Sequence, residues 1–108
     1  MLMFALVACG TSEIEDTRTI DHFLQAFEDA GYEVVNPESM GSASGAIDSV
    51  IFEIVQDHDV VVTIYQFDNE EALVQAQRAW RDTVRNGMFL INSSRAGPEL
   101  REFFASIK

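Results

Sequence analysis

Two β-forming runs, Val50–Gln56 and Val60–Phe67, are separated by only three residues, Asp57-His58-Asp59. A connection that short joins neighbouring antiparallel strands, so the pair predicts a hairpin at the centre of the fold. A register with Gln56 opposite Asp59 sets Val50, Phe52 and Ile54 against Tyr65, Thr63 and Val61 on one face. The other face then holds Ile51, Glu53, Val55, Val60, Val62 and Ile64, and both faces are largely apolar. Such a hairpin is either covered on both sides or presents one side to a partner.

Elements of helical period flank the hairpin. Between Thr17 and Ala30, Ile20, Phe23, Leu24, Phe27 and Ala30 recur at helical spacing, with Asp16, Thr17 or Thr19 as cap and Gly31 as the left-handed stop. Tyr32–Val35 reads as a short strand ended by Asn36-Pro37, and Glu38–Ala46 as a loop. Asp68-Asn69-Glu70-Glu71 opens a second helix with the stripe Leu73, Ala76, Trp80 and Val84. Arg78, Arg81 and Arg85 favour its closing turns, and Asn86-Gly87 ends it. Met88–Asn92 is a further strand, and Gly97-Pro98 starts a last helix along Leu100, Phe103, Phe104 and Ile107. The fold class is α+β in the order α-β-β-β-α-β-α. About four mostly antiparallel strands carry two or three helices on one face, with an extra N-terminal strand as an option. The Trp80 helix makes a right-handed βαβ crossover plausible between the strands at Val60–Phe67 and Met88–Asn92.

The chain has 108 residues, room for one core. Its formal net charge of −11 opposes binding to phosphate backbones or anionic head groups, so nucleic acid is not an expected partner. With Cys9 the only cysteine, neither an intrachain disulfide nor a cysteine cluster can form.

The opening Met1-Leu2-Met3-Phe4-Ala5-Leu6-Val7-Ala8-Cys9-Gly10-Thr11-Ser12 runs apolar up to the cysteine and polar directly after it. Leu6-Val7-Ala8-Cys9 resembles a bacterial lipobox. The layout that follows is similar to that of small bacterial lipoproteins of unassigned function: a helix ending Gly31-Tyr32, a strand Val62–Asp68 leading into an alanine-rich acidic helix, then Asn86-Gly87-Met88-Phe89-Leu90-Ile91. The resemblance implies residues 1–8 as a signal-peptide remnant, Cys9 as the lipidated residue, residues 9–16 as a tether and 17–108 as the domain. It also implies an extracytoplasmic, membrane-anchored location and no catalytic residues. The basic n-region of a signal peptide would lie upstream of Met1. The alternative is a buried first strand, Leu2–Ala8, in a cytoplasmic protein that dimerises through its sheet as a regulatory or ligand-binding domain.

No enzyme site, metal site or cofactor is expected. Turn chemistry explains Asp57 and Asp59 around His58, since adjacent turn residues point apart and three or four converging ligands are needed for a metal. His22 reads as a boundary histidine, and Gly41–Gly45 lacks the lysine of a phosphate loop. Phe23, Phe27, Trp80, Phe103 and Phe104 read as core, leaving Tyr65 and Phe67 as the more open aromatics. A ligand or partner surface is therefore expected along Met40, Ser42, Ser44, Tyr65 and Phe67. Glu53 marks a charge on an otherwise apolar face, and a protein, a peptide, an envelope component or a second copy is the expected occupant.

Overall fold

The computed structural model describes residues 16–42, 44–55 and 59–108. Leu2–Ala8, Cys9, the tether before Asp16, Ala43 and His58 lie outside the described residues. The architecture is α+β, with three helices and an antiparallel sheet. The elements are α1 (Ile20–Asp29), β1 (Glu33–Ser39), β2 (Asp48–Val55), β3 (Asp59–Gln66), α2 (Glu70–Ala79), β4 (Thr83–Asn86), β5 (Phe89–Asn92) and α3 (Pro98–Ser106). The five described strands lie in the order β1-β2-β3-β5-β4, every neighbour antiparallel.

The hairpin forms, but its register is one residue from the expected one. Val55 faces Asp59 and Phe52 faces Val62. Because side chains alternate across a strand, a one-residue slip exchanges the faces of one strand against the other. Val50, Phe52, Ile54, Val60, Val62 and Ile64 now share one face and enter the main core. The opposite face carries Ser49, Ile51, Glu53 and Val55 against Tyr65, Thr63, Val61 and Asp59. The hairpin is therefore amphipathic, with one sealed side.

Helices α1 and α3 seal it. Ile20, Phe23 and Phe27 from α1 and Leu100, Phe104 and Ile107 beside α3 join Phe89 and Ile91 of β5 in that core. Phe23 stacks 4.6 Å from Phe89 and 5.2 Å from Phe104, offset contacts that add to area burial. Thr19 caps α1 by accepting from the His22 amide, and Gly31, at φ 99, takes the left-handed stop the sequence marks. Two helices thus share one face. The third, α2, lies over the other face at one end, where Leu73 and Ala76 pack on Ala46, Phe67, Met88 and Leu90.

Three other expectations are corrected. The Tyr32–Val35 strand does not stop at Asn36-Pro37. It bulges there, with Asn36 at φ 55, and resumes pairing at Glu38↔Ile51. As β1 is an edge strand, the missing proline N–H costs no ladder bond, and the kink blunts the edge. Helix α2, capped by Asn69 as the sequence suggests, ends at Ala79 instead of reaching Arg85. Asp82 is left-handed at φ 60, and Thr83-Val84-Arg85-Asn86 turns back as β4. Asn86-Gly87 therefore opens a two-residue hairpin turn, with Gly87 at φ 61. β3 and β5 are antiparallel neighbours, so no βαβ crossover forms between them.

A polar clasp joins the chain's segments behind the phenylalanines. The Arg18 guanidinium donates to both Asp16 carboxylate oxygens (2.8 and 2.7 Å), to Asn86 Oδ1 (2.9 Å) and to the Ile107 carbonyl (3.2 Å). It also lies 4.8 Å from the Phe23 ring centroid. Asp16 Oδ2 accepts from the Met88 amide, while Asn86 Nδ2 donates to the carbonyls of Phe104 and Ile107. The approach to α1, the β4–β5 turn and the end of α3 are thereby tied at one point. Arg18's hydrogen bonds hold the Asp16 carboxyl down at about 2 against an ordinary 3.8; burial opposes the shift, and the Met88 amide reinforces it.

A depressed carboxyl stabilises the fold above its unfolded pKa and loses that contribution as the pH falls through the folded one. Asp16→Asn should therefore cost roughly 2 kcal/mol near neutrality and almost nothing near pH 2, read from urea midpoints across pH. Gly87→Ala should cost at least about 2 kcal/mol, since φ is left-handed and the new Cβ would run into the Asp16 carboxylate.

Candidate functional site

On the second face of the sheet, α2 and the β1–β2 loop cover only one end. There Tyr65 packs against Trp80 at 4.7 Å between ring centroids, Leu90 lies beneath Leu73, and Ser49 is buried with its hydroxyl donating to the Gly41 carbonyl. Beyond that end no described element covers the face. Its cross-strand rows, read along the register, are Glu33-Val55-Asp59, then Val35-Glu53-Val61, then Glu38-Ile51-Thr63-Asn92-Thr83. Val61 is 48 % exposed at the centre of these rows. Four carboxylates, those of Glu33, Glu38, Glu53 and Asp59, interleave with Val35, Ile51, Val55 and Val61. The three ion pairs among the described residues, Asp16–Arg18, Glu70–Arg85 and Asp82–Arg101, involve none of the four. A shallow hollow beside the β1 bulge is lined by Asn36, Glu38, Ile51, Glu53 and Val61.

The bulge and the register build this surface. The extra residue at Asn36-Pro37 returns Glu38 to the same face as Val35. The Phe52↔Val62 pairing sends Val61 outward and Val62 inward. Polar and apolar groups thus alternate on an area that solvent reaches. Among the described residues no three His, Cys, Asp or Glu side chains converge to hold a metal ion.

Of the residues singled out from sequence, only Glu53 lies on the open rows, half-buried between Val35 and Val61 and not opposite Val62. Met40 and Ser42 are exposed on the β1–β2 loop. Ser44, also exposed and at φ 55, borders a groove with Gly45, Ala72 and Trp80 along α2. Tyr65 is half-buried on the Trp80 side. Phe67 is not open: at 2 % exposure it belongs to the core under α2, because alternation puts it on the Tyr65 face and its amide bond to the Met88 carbonyl continues the β3–β5 pairing beneath that helix. The predicted surface therefore divides between two ends of one sheet face. Sequence reasoning missed Val61, Val35 and Glu38, since it put Val61 on a packed row and stopped β1 before the bulge. Tyr-to-Trp packing was missed as well, since Trp80 lies one residue past α2.

Comparison with known protein families, with curated protein sequences and with solved structures finds no match.

Neighbouring valines should respond oppositely to truncation. Val62→Ala should lower stability by roughly 2 kcal/mol, while Val61→Ala should stay within about 0.5 kcal/mol, in chemical denaturation monitored by Trp80 fluorescence.

Proposed function

We propose that this chain is a non-enzymatic bacterial surface lipoprotein, anchored through Cys9, whose α+β domain binds a protein partner through the open rows of its sheet. The partner presents apolar side chains together with arginines or lysines. The observation that carries the reading is the row Val35-Glu53-Val61, in which a carboxylate stands beside an exposed valine on a sheet face that no described element covers. Exposed apolar surface rimmed by charge marks contact sites, and rim carboxylates select for a basic counterpart. A net charge of −11 steers the same class of partner from a distance. Support for the anchor comes from the lipobox-like Leu6-Val7-Ala8-Cys9.

The rival occupant, a second copy docked face to face, would bring Glu33, Glu38, Glu53 and Asp59 towards their own symmetry mates, and like charges oppose that contact.

Labelled palmitate should enter the full-length protein in its bacterial host, and Cys9→Ser should abolish labelling and shift the protein from the membrane to the soluble fraction. An unlabelled, soluble wild type would overturn the anchor. A photoreactive benzophenone amino acid replacing Val61 should yield one discrete heavier adduct in cells, lost on adding Glu53→Arg. The same probe replacing Ala105, exposed on α3, should not. Adducts from both positions or from neither would overturn the binding face, and an adduct of twice the chain's own mass would assign it to the homodimer.

A further inference from the structure

A second recognition feature lies on the far side of the molecule, where α1 ends against α3. The α1 terminus is a Schellman motif: the Tyr32 amide bonds the Phe27 carbonyl and the Gly31 amide bonds that of Glu28, while the Tyr32 ring meets Phe27 edge-on at 5.6 Å. That motif places the Tyr32 ring 5.3 Å from the ring of Phe103 on α3, tilted by 46°, so that two half-buried aromatic faces form a corner. The corner opens into a hollow of roughly 370 Å³ lined by Ala30, Gly31, Tyr32, Val55, Glu99 and Phe103. Glu99 is exposed on the first turn of α3 and supplies a carboxylate at its edge.

Negative charge gathers at this hollow, and the positive dipole end of α3 is offset there by the Glu99 carboxylate itself. The last turn of α1 holds no basic residue and carries Glu28 and Asp29 at the negative end of the helix dipole. Aromatic faces are themselves negative. Burial, and after it the Glu99 charge, pushes the Tyr32 phenol above its ordinary range, which places that carboxylate's field on the ring.

We infer that the Tyr32–Phe103 corner with Glu99 is a binding site for an alkylammonium group, either a quaternary ammonium such as choline or a lysine-type primary amine. The cation sits against the two ring faces with Glu99 as counter-charge, and its methyl or methylene groups fill the hollow towards Val55. The inference does not rest on the lipid anchor, and the site meets the open sheet face only at Val55.

The test is an amide-resolved NMR titration of the full chain with choline, its neutral carbon analogue 3,3-dimethylbutan-1-ol, and Nα-acetyl-lysinamide. Choline should move the resonances of Gly31, Tyr32, Val55 and Phe103 saturably, with a Kd in the millimolar range. The neutral analogue should leave them in place. Glu99→Gln should weaken binding by roughly fivefold, whereas Glu102→Gln, which removes the same charge from an exposed position on α3, should not. Tyr32→Phe, which keeps the ring, should retain binding. Whichever amine gives the lower Kd identifies the source of the ammonium. Absence of saturable shifts with either amine, equal shifts from the neutral analogue, or equal weakening by Glu99→Gln and Glu102→Gln would overturn the assignment.

Discussion

The pairing of Phe52 with Val62 governs the rest of the molecule. It sorts the hairpin's residues so that Val50, Phe52, Ile54, Val60, Val62 and Ile64 lie together under α1 and α3. Ile51, Glu53, Val61 and Thr63 are thereby left to the other side. Full burial of Phe52, Ile54, Val60, Val62 and Ile64, with Val50 partly buried beside them, at about 25 cal/mol per Å² of apolar area outweighs anything the outward row could recover if the faces were exchanged. A slip of one residue would bury Val61 and Thr63 and expose Val60 and Val62, so core and contact surface are two consequences of one register.

The remaining elements are arranged around that sealed face. Phe23 and Phe27 on α1 and Phe104 beside them cover it, and the Asp16–Arg18–Asn86 clasp fixes where the covering helices meet the β4–β5 turn. The clasp is largely satisfied: Arg18 reaches three partners, and Asn86 both accepts from it and donates to two α3 carbonyls. Satisfied polar groups at a core boundary specify geometry, since loss of one member leaves the others unpaired. Gly87 belongs to the same device, because any side chain there would displace the Asp16 carboxylate.

Much of the fold was legible because its signals are local. Thr19 and Gly31 bound α1, Asn69 starts α2, and Pro98 opens α3, each through capping chemistry that acts within a few residues. What was not legible depends on distant partners. Val60-Val61-Val62 is uniformly apolar, so alternation within the strand cannot say which residue points inward; the phenylalanines of α1 and α3 decide it. Arg81-Asp82-Thr83-Val84-Arg85 continues a helical pattern with cations suited to a last turn. Asp82 nonetheless adopts φ 60, and Thr83-Val84 finds a partner strand in β5. Asn86-Gly87 was visible as punctuation, yet a helix stop and a hairpin turn share those two residues. The candidate surface was half legible for the same reason. Glu53 stood out as a charge among apolar neighbours, while Val61 became visible as an exposed valine only once the register was fixed.

The open sheet rows and the Tyr32–Phe103 corner are neighbouring surfaces. Both surfaces depend on where β2 and β3 meet, because Val55, the last residue of β2, borders both. Disulfide trapping in a Cys9→Ser background reads that meeting point directly. The pair Glu53→Cys with Val61→Cys should oxidise readily to an intramolecular crosslink, since directly opposed strand residues fall within the span a disulfide needs. The pair Glu53→Cys with Val62→Cys, whose side chains point to opposite faces, should stay reduced under the same conditions. Preferential crosslinking of the second pair would contradict the register and with it the open face.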